Sequence, residues 1–150
     1  RTIRQLASYS LSECQIQDIQ YEKNSQLTVI NKKVFHLSMI TRIFIPASVT
    51  ELKDGWLGEI WSNISITISS ENLNYKNFEN KMIVGKSNSA NDEFDSLIFV
   101  NCDVSELTVP SSIKYITSYS LCHSKLNVIE FSEDSELLSI GRMRLSQVWL

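Results

Sequence analysis

The 150-residue sequence predicts a strand-dominated α/β repeat solenoid, with parallel β-strands stacked on one face, little helix and one inserted β-hairpin. Three observations carry that expectation. Two long stretches overlay without gaps, a short apolar pattern returns every 22–24 residues, and proline closes the pattern in two of its copies.

The overlay sets Ile3–Ile30 on Ile113–Ile140, an offset of 110. Nine of the 28 positions are identical, among them Ser8/Ser118, Tyr9/Tyr119, Ser10/Ser120, Leu11/Leu121 and Ile19/Ile129. Unrelated segments share roughly two positions at ordinary residue frequencies, so this is an internal repeat. A shorter period lies inside it. Apolar-x-x-apolar-x-apolar occurs at Ile16-x-x-Ile19-x-Tyr21, Ile40-x-x-Ile43-x-Ile45, Val104-x-x-Leu107-x-Val109 and Leu126-x-x-Ile129-x-Phe131. A weaker copy, Ile64-Ser-Ile66-Thr-Ile68, has Asn63 at the first slot. The central residues Ile19, Ile43 and Ile66 are 24 and 23 apart, and Leu107 and Ile129 are 22 apart. Only Ile66 to Leu107 is out of step: its spacing of 41 is one period plus about 19 inserted residues.

Alternation along an extended strand points Ile19, Ile43, Ile66, Leu107 and Ile129 inward as one buried column. Pro46 and Pro110 follow Ile45 and Val109 directly. Proline lacks an amide hydrogen and disfavours helix for the residue before it, so each stops its strand and turns the chain. A further large apolar residue in each period (Leu11, Phe35, Leu57, Leu121, Leu145) is placed to fill the core from the opposite wall. One period cannot bury its own apolar face, whereas periods stacked about 4.8 Å apart bury a continuous core. Residues 1–150 are therefore expected to form a single solenoid of about five strand-bearing turns. Near residues 72–103 a hairpin is expected to project from it. Met82-Ile-Val and Leu97-Ile-Phe-Val read as its strands, with a long polar loop between them.

Composition narrows the function. The chain is 43% hydrophobic and 21% charged with a net charge of −3, which offers no basic patch for nucleic acid or an anionic membrane. No run of about 18 apolar residues spans a bilayer. The chain starts at Arg1 and stops at Val148-Trp149-Leu150, and so reads as a piece of a longer protein flanked by further repeats. Three scattered cysteines (Cys14, Cys102, Cys122) define no disulfide framework and leave one pair open; buried free thiols filling core gaps are favoured. No cysteine pair has zinc spacing and the four glycines form no phosphate loop, so neither a metal nor a cofactor is expected. His36 and His123 lie in variable stretches, opposite Ser146 and Glu13 in the overlay, and read as structural. Asp92, Glu93 and Asp95 with Asn88 and Asn91 lack the glycine and distal glutamate of a helix–loop–helix calcium site, and read as a solvated loop.

The run Ile40-Thr-Arg-Ile-Phe-Ile-Pro-Ala-Ser-Val-Thr-Glu-Leu52, supported by Val104–Ile116 and Leu126–Ile140, resembles the BspA-like (Treponema-type) leucine-rich repeats. The segment Lys81–Asp103 is similar to insertions in large protist surface antigens of that family. The resemblance implies a leucine-rich-repeat solenoid on a cell surface or outside the cell, acting in adhesion and binding a protein or cell-surface ligand. The family's usual Ala-Phe ahead of a strand is degraded here to Ser10-Leu11, Val34-Phe35 and Ser120-Leu121.

Alternation also nominates a contact surface. One outward row reads Asp18, Arg42, Ser65, Glu106, Val128, and the next reads Gln20, Phe44, Thr67, Thr108, Glu130. Neighbouring rungs set Asp18 beside Arg42, and Phe44 offers an aromatic to a partner. Asn63-Ile64-Ser65 is an N-glycosylation tripeptide at a strand position, meaningful in a secreted chain. A non-enzymatic binding module is thus expected. The rivals are an intracellular scaffold of the same fold and a parallel β-helix enzyme acting on polysaccharide. The enzyme would need two or three strands per coil and a catalytic cluster, where each period here shows one strand.

Overall fold

The computed structural model describes residues 2–22, 24–60 and 62–142. The chain divides into two units, Arg1–Lys76 and Asn77–Leu150. Leu145 and Ser146 lie outside the described residues.

In the first unit the strands are β1 (Gln5–Leu6), β2 (Asp18–Ile19), β3 (Val29–Ile30), β4 (Arg42–Ile45), β5 (Glu51–Leu52) and β6 (Ser65–Ile68). They form two three-stranded sheets, β1-β3-β5 and β2-β4-β6, and every pairing in them is parallel. The expectation of strands on one face alone is therefore corrected: most periods carry two strands, one in each wall. The second strand follows the turn that Pro46 opens. There the Val49 amide donates to the Pro46 carbonyl at 3.2 Å, the chain reverses, and Glu51–Leu52 pairs with Val29–Ile30. Asn31 adds a side-chain bond within this wall, its Nδ2 donating to the Leu6 carbonyl one period earlier at 2.8 Å.

In the β2-β4-β6 wall Ile19 faces Ile43 and Ile43 faces Ile66, the register that the spacing predicts for this part of the chain, with Ile43 and Ile66 buried but Ile19 only half-buried. The copy at 64–68, weak as a sequence pattern, forms a full four-residue rung. Between the walls lies an apolar core of Leu27, Ile30, Ile40, Ile43, Ile45 and Val49, closed at the turns by Val34, Phe35, Trp56 and Leu57. Phe35 and Trp56 meet edge to face, 6.0 Å between centroids, an arrangement that aromatic quadrupoles favour.

No helix occurs among the described residues, so the α/β label gives way to an all-strand solenoid architecture. The cause is local. Segments 8–13 and 32–37, which connect the walls, are chains of turns. They are set by left-handed backbone at Tyr9 (φ 61°), Glu13 (54°), Lys33 (55°) and Leu37 (55°), a conformation that no L-residue repeats along a helix. In the next period glycine takes the place of Lys33: Gly55 has φ 70°, and its carbonyl accepts from the Lys33 amide at 2.9 Å.

The second unit has β8 (Met82–Gly85), β9 (Ser96–Val100), β10 (Glu106–Val109), β11 (Tyr115–Ile116), β12 (Val128–Phe131) and β13 (Ser139–Ile140), while β7 (Tyr75–Phe78) runs across the division. The five-stranded sheet has the order β13-β11-β9-β8-β7, and β10 pairs with β12. Leu107 faces Ile129 in that pair. The proline after Val109 ends β10 as expected, and the Ile113 amide donates back to the Pro110 carbonyl at 3.1 Å.

The picture of a hairpin projecting from the solenoid is also corrected. β8 and β9 do pair antiparallel, with a register shift between Ile83 and Val84. Every residue of both strands is nonetheless buried, and β9 pairs in parallel with β11 as a rung of the wall. Their near-continuous apolar sequence is that of a strand covered on both faces. Asp95 closes the loop at its base: the Ser87 amide and hydroxyl donate to its carboxylate at 2.7 and 2.6 Å.

Candidate binding face

Alternation along β4 places Arg42 and Phe44 outside and Ile43 and Ile45 inside. The parallel register then fixes the outward rows. Asp18 stands opposite Arg42 and Arg42 opposite Ser65, while Phe44 stands opposite Thr67. Arg42 donates to Asp18 Oδ2 from Nε at 3.2 Å and from Nη2 at 3.0 Å, an ion pair one period apart in sequence. The Arg42 side chain is 69% exposed. The pair therefore orients two charges and adds at most about 1 kcal/mol. Phe44 shows 38% of its surface to solvent. Gln20 falls just beyond β2, exposed but without a rung partner in the register, so the second row starts at Phe44 rather than Gln20.

In the second unit Glu106 stands opposite Val128 and Thr108 opposite Glu130, all four exposed. Apart from Gln20, the neighbours drawn from the sequence thus stand side by side within each unit. Asn63 is exposed and precedes β6 instead of lying in a strand.

The residues weighed for chemistry are occupied structurally. His36 Nδ1 accepts from the Glu59 amide at 3.3 Å, and its ring meets Tyr9 edge-on at 5.9 Å. His123 stacks on Phe99 at 6.3 Å. None of the three cysteines forms a disulfide, and each is half-buried rather than buried. Within the acidic loop Glu93 pairs with Lys114 at 3.4 Å, Asn88 Oδ1 accepts from the Ala90 amide, and the Lys86 ammonium lies 5.4 Å from the Phe94 ring centre. Glu136 reaches the same lysine at 3.6 Å, and the two carboxylates hold the Lys114 ammonium above its ordinary pKa, Glu93 first. Among the described residues no group of three or more His, Cys, Asp or Glu side chains could hold a metal ion, and no helix is long and apolar enough to cross a membrane.

Sequence reading missed Asn72. It takes the place of Val49 one period on, yet is buried at 7% exposure. Its Nδ2 donates to the carbonyls of Pro46 and Val49 at 2.9 and 3.0 Å, and its Oδ1 accepts from the amides of Asn74 and Tyr75. Its alignment with a core valine was the available signal.

A family model described as BspA type leucine-rich repeat region, in six copies, matches residues 1–85 and 61–148. A leucine-rich repeat protein from Eubacterium ventriosum is similar in structure, with TM-score 0.59 and 25% identity over 85% of this chain. The pneumococcal vaccine antigen PcpA is similar with TM-score 0.57 and 17% identity over 93% of this chain. The chain spans 31% and 45% of the lengths of those two proteins. No curated protein matches it. With family repeats matched along nearly its whole length, the chain belongs to the BspA-type leucine-rich repeat family.

Proposed function

We propose that this chain is a non-enzymatic binding module at a cell surface or outside the cell, offering the outward rows of its short-strand walls to a protein partner. The observation that carries the reading is the β4 face. An aromatic, Phe44, stands exposed beside an oriented charge pair, on a strand whose own inward residues, Ile43 and Ile45, are fully buried. A rigid aromatic with a polar surround is the usual composition of a binding hot spot. The proposed contact set is Asp18, Gln20, Arg42 and Phe44 in the first unit, with Glu106, Thr108, Val128 and Glu130 in the second. Membership of a repeat family, and a vaccine antigen among the proteins of similar fold, are the motives for placing the surface reading first. An intracellular scaffold would use the same face, and a secretory signal in the parent protein separates the two.

The test measures binding of fluorescently labelled chain to cultured epithelial cells and to immobilised extracellular-matrix proteins. Phe44→Ala is expected to lower binding at least about fivefold with an unchanged circular dichroism spectrum. Equal binding by both proteins sinks the contact site.

Two strands per period is a feature shared with parallel β-helix enzymes, so strand count no longer argues against one. Family membership favours the binding reading, and polysaccharide hydrolysis by the purified chain would overturn it.

A further inference from the structure

The outward alternation of β6 extends past its first residue: Asn63 exposed, Ile64 buried, Ser65 exposed, Ile66 buried, Thr67 exposed. Asn63 therefore lies on the same face as Ser65 and Thr67. It sits ahead of the ladder, where no strand pairing fixes its backbone. Asn63-Ile64-Ser65 is also the one Asn-x-Ser/Thr tripeptide in the whole sequence. We propose that Asn63 is the acceptor of an N-linked glycan, and that this glycan stands beside the Asp18–Arg42 end of the β2-β4-β6 face.

The transfer needs a polyprenyl-pyrophosphate-linked oligosaccharide and an oligosaccharyltransferase. The Asn63 Nδ2 attacks the anomeric carbon, a nitrogen–carbon bond forms and the carbon–oxygen bond to the pyrophosphate breaks. The lipid pyrophosphate leaves with the bonding pair, and the displaced amide proton passes to a base of the transferase. Ser65, two residues on, supplies the hydroxyl that the tripeptide requires. Arg42 is opposite Ser65 in the register. That places Asn63 about 8 Å from the Arg42 backbone and about 14 Å from Phe44, taking about 3.3 Å per residue and 4.8 Å per rung. The glycan then stems from beside the charge pair, on the side away from Phe44, and bounds the contact face at that end.

In the native cell the modification rests on the secreted reading proposed above; the capacity to accept a glycan does not. The chain with a cleavable signal peptide is translated with microsomes, and protease-protected molecules are sized. One upward shift is expected, absent in Asn63→Gln and in Ser65→Ala and of higher occupancy in Ser65→Thr. Peptide N-glycosidase is expected to remove it without denaturant, because Asn63 is exposed. Protected wild-type chains without a shift, or a shift that survives in Asn63→Gln, overturn the proposal. Neither result bears on Phe44, whose role is read separately from cell binding by the unglycosylated protein.

Discussion

Asn72 shows how one side chain can substitute for a buried contact by hydrogen bonding. Its amide serves four backbone groups at a corner where the previous period uses Val49. Asn72→Val restores the apolar type but strips those groups of their partner. Leaving buried polar groups unsatisfied costs about 1–3 kcal/mol each, so a loss of at least about 2 kcal/mol in urea unfolding is expected. A variant as stable as wild type refutes that account. Two tyrosines make a contrasting pair. Tyr75 is buried and its hydroxyl accepts from the Leu52 amide at 2.7 Å. The Tyr21 hydroxyl is buried without a hydrogen-bond partner among the described residues. Burial pushes both phenols from 10.0 up to about 12. A raised folded pKa gives stability that is complete below pH 10 and lost as pH climbs through about 12, because the unfolded chain releases the proton first. Tyr75→Phe should lose about 1–2 kcal/mol at neutral pH and show a shallower alkaline decline. Tyr21→Phe should be neutral or slightly stabilising at neutral pH, with the same shallower decline. Unfolding midpoints from pH 7 to 12 decide both.

Each rung combines two kinds of position with different energetic weight. Ile43 is 1% exposed and has a rung partner on either side, so Ile43→Ala removes packing and leaves a cavity. The expected cost is about 2–4 kcal/mol. Arg42→Ala, one residue earlier, breaks an exposed ion pair and should change stability by under about 1 kcal/mol. Thermal unfolding of the two variants measures the difference, and similar losses would contradict the assigned facing of β4. The facing was legible because Ile43 and Ile45 alternate with Arg42 and Phe44. The β1-β3-β5 wall was not, since strands of two residues such as Val29–Ile30 and Glu51–Leu52 are too short to show a period. Their status is set by amides that donate one period back, as Lys53 does to the Ile30 carbonyl at 2.9 Å.

For the molecule as a whole, the secondary structure itself is a testable quantity. Among the described residues there is no helix. Far-ultraviolet circular dichroism should show strand and turn without a helical double minimum. A pronounced helical double minimum would overturn the architecture.

The inward facing of Ile43, Ile66 and Leu107, the strand ends at Pro46 and Pro110 and the Asp18–Arg42 neighbourhood were determined by sequence alone. Each depends only on a repeated spacing and on which side of an extended backbone a residue falls. Tertiary structure decided the second wall, the burial of β8 and β9 within a sheet, and the work of Asn72. Those depend on which backbone groups meet between segments distant in the chain, and no local pattern of residue types records such a meeting.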